Sequence, residues 1–145
     1  TVTTTRPPDE LSGVVAHQHD IVVRMGLATS DDPVDADVAI DAVIGYSLRG
    51  APRGRSQVLI EAMGSARQVV SLDTPSGLDV TTGDAPGAVV TAQATLTLAL
   101  PKLGLRRAAE VGDLYLADIS VPRSVTAAFG SPPPDFSRSP ILAIR

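Results

Sequence analysis

The sequence predicts an α/β domain built on a mostly parallel sheet. Three observations predict it. Apolar runs of strand length alternate with helix-patterned stretches in the first half of the chain. The run over residues 37–44 is almost continuously apolar, as in a strand covered on both faces. Turn-rich loops with Gly and Pro follow several of the runs, where ligands bind in such sheets.

Residues 1–5 are rich in β-branched side chains and stop at Pro7 and Pro8, which reads as a strand. Residues 9–25 place Leu11, Val14, Val15, Ile21, Val22 and Met25 at helical spacing. Asp9 and Glu10 suit the positive end of that helix, and Gly26 its stop. A polar linker over 28–35 leads to the strand at 37–44. A Gly/Arg/Pro loop over 45–55 precedes a short helix at 56–63, then a strand at 68–72. Residues 73–87 form a turn-rich loop. Strands are expected at 91–100 and 114–119, and a short helix at 122–129. The division expected is one domain over 1–130 and a Pro-rich tail over 131–145.

Composition narrows the function. The chain has 145 residues, 43% hydrophobic and 19% charged, the profile of one globular domain. Its net charge is −4 and only four residues are aromatic, Tyr46, Tyr115, Phe129 and Phe136. Nucleic-acid binding is therefore not expected, because it needs clustered cations and stacking surfaces. Without cysteine there are no disulfides and no thiolate chemistry. No apolar run is long enough to span a membrane and no signal peptide is visible, so a cytoplasmic setting is expected. The chain opens at Thr1 rather than Met, which suits a trimmed or processed piece of something longer.

Asp41 lies inside an apolar run, where a carboxylate needs hydrogen bonds, an ion partner or a cation; a backbone-capping role and a functional one weigh equally. The loop after it, Gly45, Tyr46, Ser47, Leu48, Arg49, Gly50 and Ala51, can hold a phosphate with its amides and Arg49, or be a plain turn. The stretch from Asp73 through Thr74, Pro75, Ser76, Gly77 and Leu78 to Asp79 is the most informative. Pro75 and Gly77 constrain the backbone where ligands bind, so Asp73 can serve as a general base and Ser76 can offer oxygen to a cation. Lys102 reads as an exposed surface lysine that could reach a phosphate. His17 and His19 read as surface or packing residues, which leaves no Ser–His–Asp triad.

The segment Asp41 to Gly50 and the segment Asp-Thr-Pro-Ser-Gly-Leu-Asp over 73–79 resemble, in order, two segments of the YjeF N-terminal domain family. The stretches 5–13, 82–83, 92–100, 101–105 and 112–114 fall in the family's order too, so the likeness covers about residues 1–122. The resemblance implies a Rossmann-like three-layer domain and NAD(P)H-hydrate epimerase activity, the interconversion of R and S hydrated NADH and NADPH. It implies potassium at Asp41 and Ser76. It also implies a substrate loop at Gly45, Tyr46, Ser47, Leu48, Arg49, Gly50 and Ala51, a catalytic, substrate-contacting Asp73, and a homodimer. Two features depart from the family. Tyr46-Ser47 stands where Thr-Gly is usual, and nothing matches the family's Asn-Asn-Gly-Gly-Asp-Gly loop. The alternative expectation is thus a catalytically impaired nucleotide-binding relative or a dimeric scaffold.

Overall fold

The computed structural model describes residues 1–128, 130 and 132–144. Its centre is a five-stranded sheet in chain order: β1 (Val38–Asp41), β2 (Gln68–Leu72), β3 (Ala94–Leu98), β4 (Asp113–Ala117) and β5 (Ile141–Ala143). The first four strands are parallel and β5 runs antiparallel to β4. Among the described residues three α-helices accompany them, α1 (Gly13–Arg24), α2 (Gly54–Ala62) and α3 (Arg123–Ala128).

Strand β2 has the bounds that the sequence predicts, while β1, β3 and β4 are shorter than their apolar runs. Residues 1–5 do not form a strand. Val2 makes one parallel bridge with Thr29, because no extended neighbour continues the pairing. The first helix also starts late. Pro8–Glu10 is a 3₁₀ turn and Leu11 is extended, so Asp9 and Glu10 stand before the helix rather than on its first turn. The helix buries none of its residues, and Val14 is 76% exposed. The expected helix at 122–129 is present as α3, except that Phe129 lies outside the described residues. Within the expected tail, Ile141–Ala143 pairs with β4 and supplies the fifth strand.

Register decides which side chains share a face. Asp41 pairs with Ser71, Ser71 with Thr95, and Thr95 with Leu114. That face is closed. Ile60 of α2 packs with Val69 of β2 and with Val90 and Ala92 of the β2–β3 connection. Beside it, Leu78, Leu105, Ala108 and Val111 pack on Leu114 of β4. Fully burying a leucine of this kind stabilises by about 1.5–3 kcal/mol. The other face carries Ile40, Val70, Leu96 and Tyr115, and none of its strand residues is buried.

The connection from β2 to β3 has no helix. It folds on itself through hydrogen bonds such as Val90 N–H to the Ser76 carbonyl, 2.9 Å. Gly77 makes this closure possible. Its φ is +96°, and a Cβ there would stand 2.1 Å from the Ala88 carbonyl oxygen.

Candidate active site

Parallel strands deliver their carboxyl ends to one edge of a sheet, and the candidate residues of β1, β2 and their following loops meet there. Asp41, the last residue of β1, is fully buried. Its Oδ2 accepts hydrogen bonds from the Ser71 hydroxyl and the Ser76 N–H, both at 2.8 Å. Its Oδ1 accepts from the Ser76 hydroxyl and, at 3.3 Å, from the Val43 N–H. Four neutral donors thus fill the carboxylate and offset the desolvation of its charge.

Ser76 lies in the same network. Its hydroxyl accepts the Ile44 N–H at 2.8 Å and has the Ile44 carbonyl 3.2 Å away as a second acceptor. The sequence-expected pair Asp41 and Ser76 is therefore brought together, through direct hydrogen bonds. Ser71, in the middle of an apolar-looking strand, is a partner that sequence reading misses. Its role becomes legible only once the β1–β2 register sets it beside Asp41. Asp41, Ser76 and the Ile44 carbonyl make an all-oxygen group, the donor class that hard cations take. Each of these oxygens already has a hydrogen bond or a hydroxyl within reach of one. Among the described residues, no group of three or more His, Cys, Asp or Glu gathers to hold a metal.

Asp73 follows β2 directly and has a φ of +68°. The Thr74 N–H bonds back to the Leu72 carbonyl at 2.9 Å, which makes a γ-turn of the strained, positive-φ kind. Asp73 Oδ1 accepts from the Lys102 ammonium and, at 3.3 Å, from the Leu98 N–H. Its Oδ2 has no hydrogen bond among the described residues and lies 3.8 Å from where a Gly45 side chain would begin. Gly45 therefore places no side chain beside that oxygen, where a Cβ would come into van der Waals contact with it.

Lys102 is not the exposed surface residue that the sequence suggests. Its side chain is 18% exposed and is ion-paired with Asp73. The loop of Tyr46, Ser47, Leu48 and Arg49 faces Asp79, Val80 and Thr81 across an open groove of ≈ 340 Å³. Arg49 is exposed and makes no hydrogen bond or ion pair among the described residues. Gly50 has a φ of +70°. Across the groove, the Thr82 and Thr81 N–H groups hold the Asp79 carboxyl below its usual value of 3.8. A larger recess, ≈ 380 Å³, lies at the ends of β3 and β4 against residues 133–137, and none of the sequence-expected site residues lines it. Chemistry rather than size therefore marks the candidate site. His17 is exposed on α1.

Residues 1–104 match the family described as YjeF-related protein N-terminus. The chain belongs to the YjeF N-terminal family. It is 42% identical over 128 residues to an NAD(P)H-hydrate epimerase of Dehalogenimonas lykanthroporepellens, covering 84% of this chain and 51% of that protein. It is 45% identical over 96 residues to an NAD(P)H-hydrate epimerase of Truepera radiovictrix, covering 66% and 44%. A bifunctional NAD(P)H-hydrate repair enzyme Nnr of Hyperthermus butylicus is 45% identical over 69% of this chain and 19% of its own length. The chain thus spans about half or less of these curated relatives. In fold, the yeast protein ynu0 superposes with a TM-score of 0.74 at 20% identity, over 92% of this chain and 62% of that one. The YjeF N-terminal domain described here is accordingly a Rossmann-like α/β domain.

Proposed function

We propose that this chain takes part in NAD(P)H-hydrate epimerisation, the interconversion of the R and S forms of hydrated NADH and NADPH. Inverting one carbon of the hydrated ring needs a group that takes up a proton and returns it. The observation that carries this reading is the carboxylate of Asp73, one oxygen held and the other open beside Gly45. The loop of Gly45, Tyr46, Ser47, Leu48, Arg49, Gly50 and Ala51 would take the nucleotide, with the unpaired Arg49 guanidinium on its diphosphate. The names of the relatives support the substrate class.

Potassium at Asp41 and Ser76 belongs to the same reading. It requires the Ser76 hydroxyl to turn from Asp41 Oδ1 to the Ile44 carbonyl, which frees a carboxylate lone pair for the ion. A homodimer and a cytoplasmic location belong to it as well. The uncovered apolar sheet face supports the first, and a substrate derived from NADH and NADPH supports the second.

The experiment is turnover of the R epimer by the full encoded protein. Wild type should exceed the spontaneous rate, and Asp73→Asn should lower the catalysed rate by about 10²–10⁴-fold with an unchanged circular dichroism spectrum. No wild-type rate above the spontaneous one overturns the epimerase reading. ADP-ribose binding without turnover would instead support the non-catalytic binding relative. Activation by KCl over NaCl at equal ionic strength tests the ion separately, and equal rates in the two salts remove potassium from the proposal.

A further inference from the structure

Strands β2 and β3 end in the same way. Asp73, just after β2, has φ +68° and Ala99, just after β3, has φ +63°. In each case the next N–H bonds back across the turn, Thr74 to Leu72 at 2.9 Å and Leu100 to Leu98 at 2.8 Å. The second turn reverses the chain so that Lys102 folds back over the end of β3. An ammonium has three protons. Lys102 Nζ directs hydrogen bonds to three acceptors, Asp73 Oδ1, the Thr97 hydroxyl at 3.0 Å and the Leu98 carbonyl at 3.1 Å. Thr97 is fully buried, so this tripod stands on a fixed base.

A lysine with all its donors engaged has none left for a substrate phosphate. What it does control is Asp73. The Leu98 N–H and the Lys102 ammonium both hold Oδ1, so the carboxylate cannot rotate without breaking both, and Oδ2 stays toward Gly45. We propose that Lys102 is a positioning residue: through Asp73 Oδ1, and with Thr97 as its anchor, it aims Oδ2 as the single proton-accepting oxygen of the site. This rests on the reading that Asp73 handles the proton in epimerisation. A lysine that merely capped the end of β3 would affect stability and leave turnover alone. One that bound phosphate would act on KM.

The test measures kcat and KM for hydrated NADPH in the full protein with Lys102→Met, Thr97→Val, Asp73→Asn and the double variant Asp73→Asn/Lys102→Met. Lys102→Met should lower kcat by about 100-fold, the effect of a misplaced reacting group, with KM within about twofold. Thr97→Val keeps the side-chain shape and removes only the anchor hydroxyl, so it guards against a misfolded lysine variant; its kcat should fall by about 3–10-fold. Adding Lys102→Met to Asp73→Asn should change nothing further, because the lysine acts only through the carboxylate. An active wild type with Lys102→Met unchanged in kcat overturns this inference alone. A raised KM with additive losses in the double variant also overturns it, in favour of direct substrate binding. A wild type with no turnover overturns both this inference and the epimerase reading.

Discussion

On the closed face of the sheet, Ser71, Thr95 and Thr97 stand among Val69, Leu114 and Leu116, and all six are buried. On the open face, Val38, Ile40, Leu72 and Ile141 are exposed although they are the more apolar set. Hydropathy alone would have reversed the two. The difference lies in what each hydroxyl meets. The Ser71 hydroxyl holds Asp41, the Thr95 hydroxyl reaches the Val111 carbonyl at 2.7 Å, and the Thr97 hydroxyl anchors Lys102. Polar side chains are stable in this interior because each has a partner, and the described residues contain no buried side-chain polar atom without one. Two of those partners, Asp41 and Lys102, belong to the candidate site as well, so the closed face combines core and chemistry.

The sharpest way to test this contrast is to take out its polar centre. Asp41→Ala strands the Ser71 hydroxyl and two backbone N–H groups, leaves the Ser76 hydroxyl only the Ile44 carbonyl, and should destabilise by about 3–5 kcal/mol in urea unfolding. Next comes the apolar part of the same face. Leu114→Ala opens a cavity beside Leu78 and Leu105 and should lose about 2–4 kcal/mol by the same measurement. Its counterpart on the open face, Ile40→Thr, should stay within about 0.5 kcal/mol at protein concentrations where the chain is monomeric, since Ile40 is 56% exposed in the single chain. If Ile40→Thr lost as much as Leu114→Ala, the contrast would break, and something would have to cover that face in solution. The smallest effect is the pH dependence of Asp79. Its carboxyl is depressed in the folded state by the Thr82 and Thr81 N–H groups, so its contribution is present above about pH 4 and fades as pH falls through the folded value. Asp79→Asn should flatten that part of the acid limb, with a small loss of stability at pH 7 that closes toward wild type as pH falls through the folded value.

Much of this arrangement is legible in the chain. The apolar runs place β1 to β4, and the run of Asp73, Pro75, Ser76 and Gly77 marks the loop where the chemistry gathers. Three things are not legible. Ser71 and Thr97 look like ordinary strand residues until register sets one beside Asp41 and a folded-back Lys102 finds the other. Lys102 reads as a surface residue because nothing in the sequence announces the positive φ of Ala99, a residue that seldom adopts it. The strand at Ile141–Ala143 is too short for a periodicity signal and follows a run of prolines, so only its pairing with β4 reveals it.

Among the described residues the sheet contains no hairpin. Each parallel pairing joins strands separated by a helix or a long loop, and even the antiparallel β4–β5 pair is separated by α3 and the Pro-rich stretch. No two neighbouring strands can therefore zip up locally as the chain emerges. The entropy of closing each connection must be met before any ladder rewards it, which places this domain toward the slow end of folding for its size. The glycine that lets the β2–β3 connection close on itself thus serves that closure as well as the candidate site: the Val90 N–H bond to the Ser76 carbonyl draws together two distant points of the segment that separates β2 from β3.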